Sequence, residues 1–335
     1  GREEESDGSR NVLPWFVALR NSSLRVFVIQ QFANAGADTV FNFLTGAYFL
    51  SRGVDLAEVG VLASLPLWGG AIGGMLGGYY NDLLMKLTGH RRWVRSLLGF
   101  AGKAIACGVM VIAINQESVV AAGLALFVVK FFSDWTQPTV WGTCTDLGGR
   151  YSATVFSIIN TSGTLGGIFC PLAFGVLLEF FKSEQVVNGE TTTIIDYTPV
   201  FVMVAAFYML SAACWFLIDC SDSLDKTERD ASLALEQPRC TVKGVLFEFL
   251  RMLLPLAGGL AAVVIALAQL LPELESVPDG ESGLWWQTLL KLVVAVIAGA
   301  FTGGGVGHLI AKFLGKYSSS FQLNREGDDL SSPTE

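Results

Sequence analysis

Eight stretches of this chain, near residues 24–50, 56–82, 94–114, 118–145, 153–181, 198–219, 246–271 and 285–311, each run for 20 or more predominantly apolar residues. At a rise of about 1.5 Å per residue, a helix of that length crosses the ~30 Å hydrocarbon core of a bilayer. Of 335 residues, 52% are hydrophobic and 16% charged, whereas a soluble domain carries about 25% charged residues. So apolar a chain cannot cover itself with polar surface, so lipid is its natural solvent. The fold class is therefore all-α, a polytopic helical membrane protein. Its 37 glycines suit close helix–helix approach in lipid.

The connections orient the spans. The loop between Leu83 and Arg95 carries Lys86, Arg91, Arg92 and Arg95, and the positive-inside rule makes it cytoplasmic. Alternation then puts 51–55, 115–117, 182–198 and the acidic loop 272–283 outside. The N-terminus, Arg150, the linker 220–243 and the tail fall inside. The expected organisation is a cytoplasmic linker (1–23), a six-helix block (24–219), a second cytoplasmic linker (220–243), a two-helix transmembrane hairpin (244–316) and a disordered cytoplasmic tail (317–335). The chain starts at Gly1 with an acidic segment, Glu3 to Glu5, and the native chain is expected to continue upstream. Glycines at 258, 259, 299, 303–305 and 307 suit either a packing accessory or a substrate-carrying hairpin.

The net charge of −8 comes from acids concentrated in termini and loops, and no basic stripe is available for nucleic acid. Six cysteines are scattered without a CxxC pair. Cys107, Cys144, Cys170 and Cys214 lie in apolar runs, where a thiol is an ordinary packing group. Neither a disulfide framework nor a metal site is expected. An enzyme is not expected either. The two histidines, His90 and His308, stand at loop and span ends, and no GxSxG, HExxH or P-loop spacing occurs. No cofactor is implied.

Polar groups inside the spans are more informative, because a charge in hydrocarbon costs several kcal/mol and is retained for a reason. The first span carries Gln30, Gln31, Asn34, Asp38 and Asn42. The spacing Gln30–Asn34–Asp38 puts these on one helix face, either along a water-filled path or in a hydrogen-bonded seam. The fourth span carries Lys130 and Asp134, again at i, i+4, as a structural ion pair or a coupling site. Ser133, Gln137 and Trp141 add polar groups nearby, and Pro138 interrupts the helix and frees a backbone carbonyl. Broken helices at midplane often line binding sites in transporters. Lys103 is a further buried cation, which either snorkels or pairs with an acid. In the fifth span Asn160 precedes Thr161, Ser162 and Gly163, as a ligand contact or as glue between helices.

Three stretches carry a family likeness. The first is Phe43-Leu44-Thr45-Gly46-Ala47-Tyr48-Phe49-Leu50 with Leu56 to Pro66. The second is Gly77-Gly78-Tyr79-Tyr80-Asn81-Asp82 with the basic loop after it. The third is Asp146-Leu147-Gly148-Gly149-Arg150-Tyr151-Ser152 with Ile159 to Gly167 and Cys170-Pro171. In this order they resemble the C-terminal six-helix half of the major facilitator superfamily, and within it the anion:cation symporters, which include sugar-acid and vesicular anion transporters. The resemblance covers residues 24–219. It implies a major-facilitator-type six-helix bundle, half of a twelve-helix carrier, plus the two additional helices.

The resemblance also implies alternating access around a central site. Its substrate contacts from this half would be Asn34, Thr39, Gln137 and Asn160, to which the indole donor of Trp141 beside the broken helix is added. Asp82, Arg91 and Arg92 would form a cytoplasmic gate, and a missing N-terminal six-helix half would be the partner. The expected function is secondary active transport of a small organic anion, such as a sugar acid, coupled to H+ or Na+ through Asp38 or the Lys130–Asp134 pair, in a plasma (inner) membrane. The alternative is a transporter-like sensor or assembly partner without transport.

Overall fold

The computed structural model describes residues 13–187, 190–225, 241–253 and 257–258. A short helix α1 (Trp15–Ala18) leads into α2 (Ser22–Phe43) and α3 (Thr45–Ser51), followed by α4 (Leu56–Thr88), α5 (Arg91–Ile114), α6 (Val119–Trp135), α7 (Gln137–Gly148), α8 (Ser152–Phe180) and α9 (Thr198–Leu217). The spans expected at 246–271 and 285–311 and the tail 317–335 lie outside the described residues, apart from 246–253 and 257–258. The described residues 246–253 and 257–258 belong to a second unit, where Arg251 Nη1 meets Glu248 Oε2 at 3.3 Å.

Four segments of the described residues are long and apolar enough to cross a membrane: Glu58–Thr88, Arg91–Ile114, Val119–Phe180 and Thr198–Leu217. Val119–Phe180 contains α6, α7 and α8. The 22 residues of α2 span about 33 Å, but polar side chains at 30, 31, 34 and 38 keep its hydropathy low. With these helices the protein is an integral multi-pass membrane protein.

Local chemistry sets the boundaries. Asn21 Oδ1 accepts the Leu24 amide at 3.0 Å, and Ser118 Oγ accepts that of Ala121, capping α2 and α6. Gly89 closes α4 at φ 72°, a left-handed stop that favours glycine. The structure departs from the sequence reading at several places. The first span is two helices, separated at Leu44, where the Thr45 hydroxyl donates to Val40 O at 3.2 Å. The supposed loop 182–198 contains an antiparallel hairpin, β1 (Lys182–Val187) on β2 (Glu190–Ile195). Its run Thr191–Ile195 is β-branched throughout, which is strand composition. The supposed linker at 1–23 already holds α1 and the start of α2.

Inside the bundle, α4 packs on α6, α2 on α8 and α9, and α5 on α6 and α9. Phe27, Val140, Leu147, Ile159 and Trp215 are fully buried in one apolar cluster. Cys107, Cys144, Cys170, Cys214 and Cys220 are buried free thiols. The helix ends near Arg95 are tied by polar groups. Arg95 Nη1 donates to Asn81 Oδ1 at 3.0 Å and Nε to Asp146 Oδ2 at 3.1 Å, joining α4, α5 and α7.

Residues 219–225, at the start of the supposed linker 220–243, are tied to these ends, and residues 226–240 lie outside the described residues. Asp219 pairs with Arg92 at 2.8 Å, Asn21 Nδ2 donates to Asp222 Oδ2 at 3.0 Å, Leu224 N donates to Leu147 O at 2.8 Å, and the buried Asp225 pairs with Arg150 at 3.0 Å. Arg95→Gln is expected to cost about 2 kcal/mol, because it strips Asn81 and Asp146 of a charged donor. Lysine should not rescue, since one ammonium cannot reproduce the guanidinium fork. Thermal unfolding of the three proteins in detergent reads both effects, and a lysine variant as stable as the parent would refute the second.

Candidate functional site

A cleft of about 560 Å³ opens along α2, α4, α6 and α7. From α2 it is lined by Gln31, Asn34, Asp38, Thr39 and Asn42, from α6 by Lys130 and Asp134, and from α7 by Gln137, while α4 contributes Gly70 and Gly74. Gln31, Asn34, Asp38 and Asn42 repeat at three and four along α2, the spacing of one helix stripe.

At its base lies a network of four charges. Lys130 Nζ sits between two carboxylates, 2.6 Å from Asp134 Oδ1 and 3.3 Å from Asp38 Oδ2. Asp38 Oδ1 also accepts from the Ser133 hydroxyl at 2.8 Å and from the Tyr208 hydroxyl at 2.7 Å. Lys103 is fully buried. Its ammonium donates to Ser133 Oγ at 2.7 Å and to Ser133 O at 3.0 Å, and lies 5.1 Å above the centre of the Tyr208 ring. Two lysines and two aspartates are formally neutral together, which offsets the cost of removing each from water.

The helix break at Thr136 makes this arrangement possible. Gln137 starts a new helix with Pro138 in its first turn, and proline has no N–H to give to Asp134 O. The Ser133 carbonyl is freed from the regular ladder. It accepts instead from Lys103, from the Thr136 hydroxyl at 2.8 Å and from the Thr136 amide at 3.3 Å. The break thus supplies a backbone acceptor for a buried ammonium.

The sequence candidates separate into groups. Asn34, Asp38, Thr39, Lys130, Asp134 and Gln137 converge on the cleft. Asn34 is 2% exposed and its Oδ1 has no partner among the described residues; the same holds for Oε1 of Gln31, 6% exposed. The Thr39 hydroxyl is engaged with Gly36 O at 2.5 Å. Gln30 faces elsewhere, donating to Ser211 Oγ at 2.9 Å. Trp141 does not line the cleft but stacks on Phe156 with centroids 5.6 Å apart. Asn160 is exposed on α8 and also lies outside the cleft lining. Of the supposed gate, Arg92 reaches Asp219, Arg91 lies 3.9 Å from Asp146, and Asp82 is exposed and joins neither pair. The central cation there is Arg95, which the sequence reading passed over as loop charge.

Tyr208 was also missed. The available signal was weak: beyond the first turn of α9, Tyr208 and Ser211 are its hydroxyl residues, at i, i+3. Both turn to α2, Tyr208 to Asp38 and Ser211 to Gln30.

Comparison with known proteins gives the frame for this geometry. The chain is 31% identical over 129 residues to a probable sulfoacetate transporter of Cupriavidus necator, covering 38% of this chain and 30% of that protein. It is 30% identical over 131 residues to a probable galactarate/D-glucarate transporter of Escherichia coli, covering 38% and 28%. To a chloroplastic ascorbate transporter of Arabidopsis thaliana it is 24% identical over 211 residues, covering 62% and 36%. The chain thus spans about a third of the length of the curated relatives it matches. A profile of the Major Facilitator Superfamily matches residues 1–171, half of the chain, and the chain belongs to that superfamily.

Proposed function

We propose that this chain supplies one helical half of a secondary transporter that moves a small organic anion, a sugar acid or other carboxylate, by alternating access coupled to H+ or Na+. The observation that carries this reading is the cleft with a charge-balanced Lys–Asp network at its base. Buried ionisable groups beside a polar cavity mark ion and substrate paths in membrane proteins. The relatives support the solute class, since they are named for sulfoacetate, galactarate and glucarate, and ascorbate.

In this reading the free acceptors Asn34 and Gln31, with Gln137, meet hydroxyl groups of the solute, and Thr39 shapes the wall. Trp141 and Asn160, outside the cleft lining, have a lesser part. A complementary helical half closes the open side. Lys86, Arg91, Arg92 and Arg95 lie on the cytoplasmic side, the N-terminus faces the cytoplasm, and the membrane is the plasma (inner) membrane. Arg91, Arg92 and Asp82 belong to the inner gate region, with Arg95 at its centre.

The test is uptake of labelled D-galactonate, D-glucarate and sulfoacetate into vesicles holding the whole protein, under an imposed pH or Na+ gradient. Accumulation above equilibrium of one of them supports the proposal. Absence of both accumulation and counterflow for all three favours the sensor or assembly reading. Asn34→Leu is expected to raise the half-saturating concentration about tenfold, the equivalent of one lost hydrogen bond of about 1.4 kcal/mol. An unaltered value would remove Asn34 from the site.

A further inference from the structure

We infer that Lys130 and Asp134 form a proton-linked anion site, in which a proton taken up by Asp134 frees Lys130 to bind the carboxylate or sulfonate of a solute in the cleft. This rests on the transport reading and goes beyond it by assigning each of the two aspartates a separate part.

Hydrogen-bond polarity separates them. An ammonium can only donate, so with Lys103 donating to Ser133 Oγ at 2.7 Å the Ser133 hydrogen points away, to Asp38 at 2.8 Å. Tyr208 donates to the same oxygen at 2.7 Å, and Lys130 donates to the other at 3.3 Å. Asp38 therefore receives three donors on two oxygens. All three donors, one of them an ammonium, favour the carboxylate form of Asp38 over the acid.

Asp134 is held differently. Oδ1 has a single donor, Lys130, and Oδ2 lies over Gly70, at the place where a Cβ would stand 2.2 Å away. Among the described residues no donor reaches Oδ2, and the side chain is the most exposed of the three at 26%, against 19% for Asp38 and 12% for Lys130. A proton from the cleft reaches Oδ2 without disturbing any other contact. The groups facing Asp134 are Asp38 from α2, Gly70 and Gly74 from α4, Lys103 from α5 and Tyr208 from α9, with Lys130 on its own helix and Gln137 on α7.

The charges then fix the linkage. Two lysines and two aspartates sum to zero. A monovalent anion in the cleft leaves one uncompensated negative charge in a medium where that costs several kcal/mol. One proton on Asp134 restores neutrality, and Lys130, still held by Asp38, turns its free hydrogens from Asp134 to the anion. Protonation and anion binding therefore favour each other. The sign follows: lowering the pH protonates Asp134 and raises anion affinity. Above the pH at which free Asp134 protonates, affinity should fall by up to tenfold per pH unit.

The experiment is calorimetry of D-galactonate, D-glucarate and sulfoacetate on the whole protein. Two buffers of different ionisation enthalpy count the protons taken up per anion. The expected result is about one proton taken up with D-galactonate, which carries one negative charge, and at least one with D-glucarate and sulfoacetate, which carry two. Asp134→Asn, which keeps the volume and removes the charge, should bind without proton uptake and without pH dependence, whereas Lys130→Gln should lose binding at every pH. Wild-type binding with no proton uptake, or linked to Na+ instead, would overturn the inference while leaving anion transport standing. So would proton uptake that persists in Asp134→Asn, which would put the proton on another group. Failure of all three anions to bind would remove the anion site together with the transport reading.

Discussion

Lys130→Met is expected to lower stability by about 3–5 kcal/mol and to abolish solute movement. The lysine is the cation shared by Asp38 and Asp134, at 3.3 and 2.6 Å. Without it, among the described residues, Asp134 has no donor and Asp38 keeps two hydroxyls, from Ser133 and Tyr208. A buried charge deprived of its partner costs far more than the pair contributed, because the desolvation cost stays when the attraction is gone. The double variant Lys130→Met/Asp134→Asn separates stability from function. It leaves Lys103 and Asp38 as a balanced pair, so stability should return to within about 1 kcal/mol of the parent. Solute movement should not return, because among the described residues no other cation lines the cleft. Melting temperature in detergent and uptake into vesicles read the two effects. About 1 kcal/mol corresponds to ~2–4 °C for a domain of this size, so the single variant should melt roughly 10 °C below the double. A single variant as stable as the double would mean that the network carries no charge balance.

Apolar length and charge patterning were enough to find the helices from residue 22 to 217, because a bilayer permits few other ways to satisfy a backbone. The breaks were less legible. Pro138 signals the α6–α7 break through its missing N–H, whereas the separation at Leu44 has no proline and no special dihedral angle at the break itself. The site was half legible. Lys130 and Asp134 lie four residues apart on one helix, and their pairing follows from helix geometry alone. The grouping of Gln30 with Asp38 did not hold. Eight residues at about 100° each leave the two side chains about 80° apart, whereas seven leave only ~20°. Gln31 therefore lines the cleft with Asp38, and Gln30 turns to Ser211 on α9. Tyr208, Lys103 and Asp38 meet only because α9 packs on α2 and α5, and α5 on α6, at a particular register. No local spacing encodes that register.

Much of it rests on α4, and Gly73→Val is expected to disrupt it. Gly69, Gly73 and Gly77 repeat every four residues against the carbonyl oxygens of Phe127, Phe131 and Trp135 on α6, which repeat at the same spacing. A Cβ added at the three positions would stand 2.3, 2.0 and 2.1 Å from those oxygens. The atoms in the way are backbone, so no side chain can turn aside, and the helices must separate. Overpacking of this kind costs about 1–3 kcal/mol, and here the upper end applies because the obstacle is rigid. Valine is a better helix former than glycine, so any loss of stability comes from packing and not from the helix itself. Function should fall as well. Lys130 and Asp134 ride on α6 in the turn beside Gly70, and moving α6 outward lengthens the reach from Lys130 to Asp38 on α2. Gly60→Val is the control on the same helix, since among the described residues no atom outside its own helix lies within 4 Å of a Cβ there, and it should stay within about 0.5 kcal/mol of the parent. The comparison is the melting temperature and uptake of both variants side by side. If Gly73→Val melts with Gly60→Val, the α4–α6 contact is looser than the carbonyl distances require, and the position of the Lys130 network must be held by α5 and α9 instead.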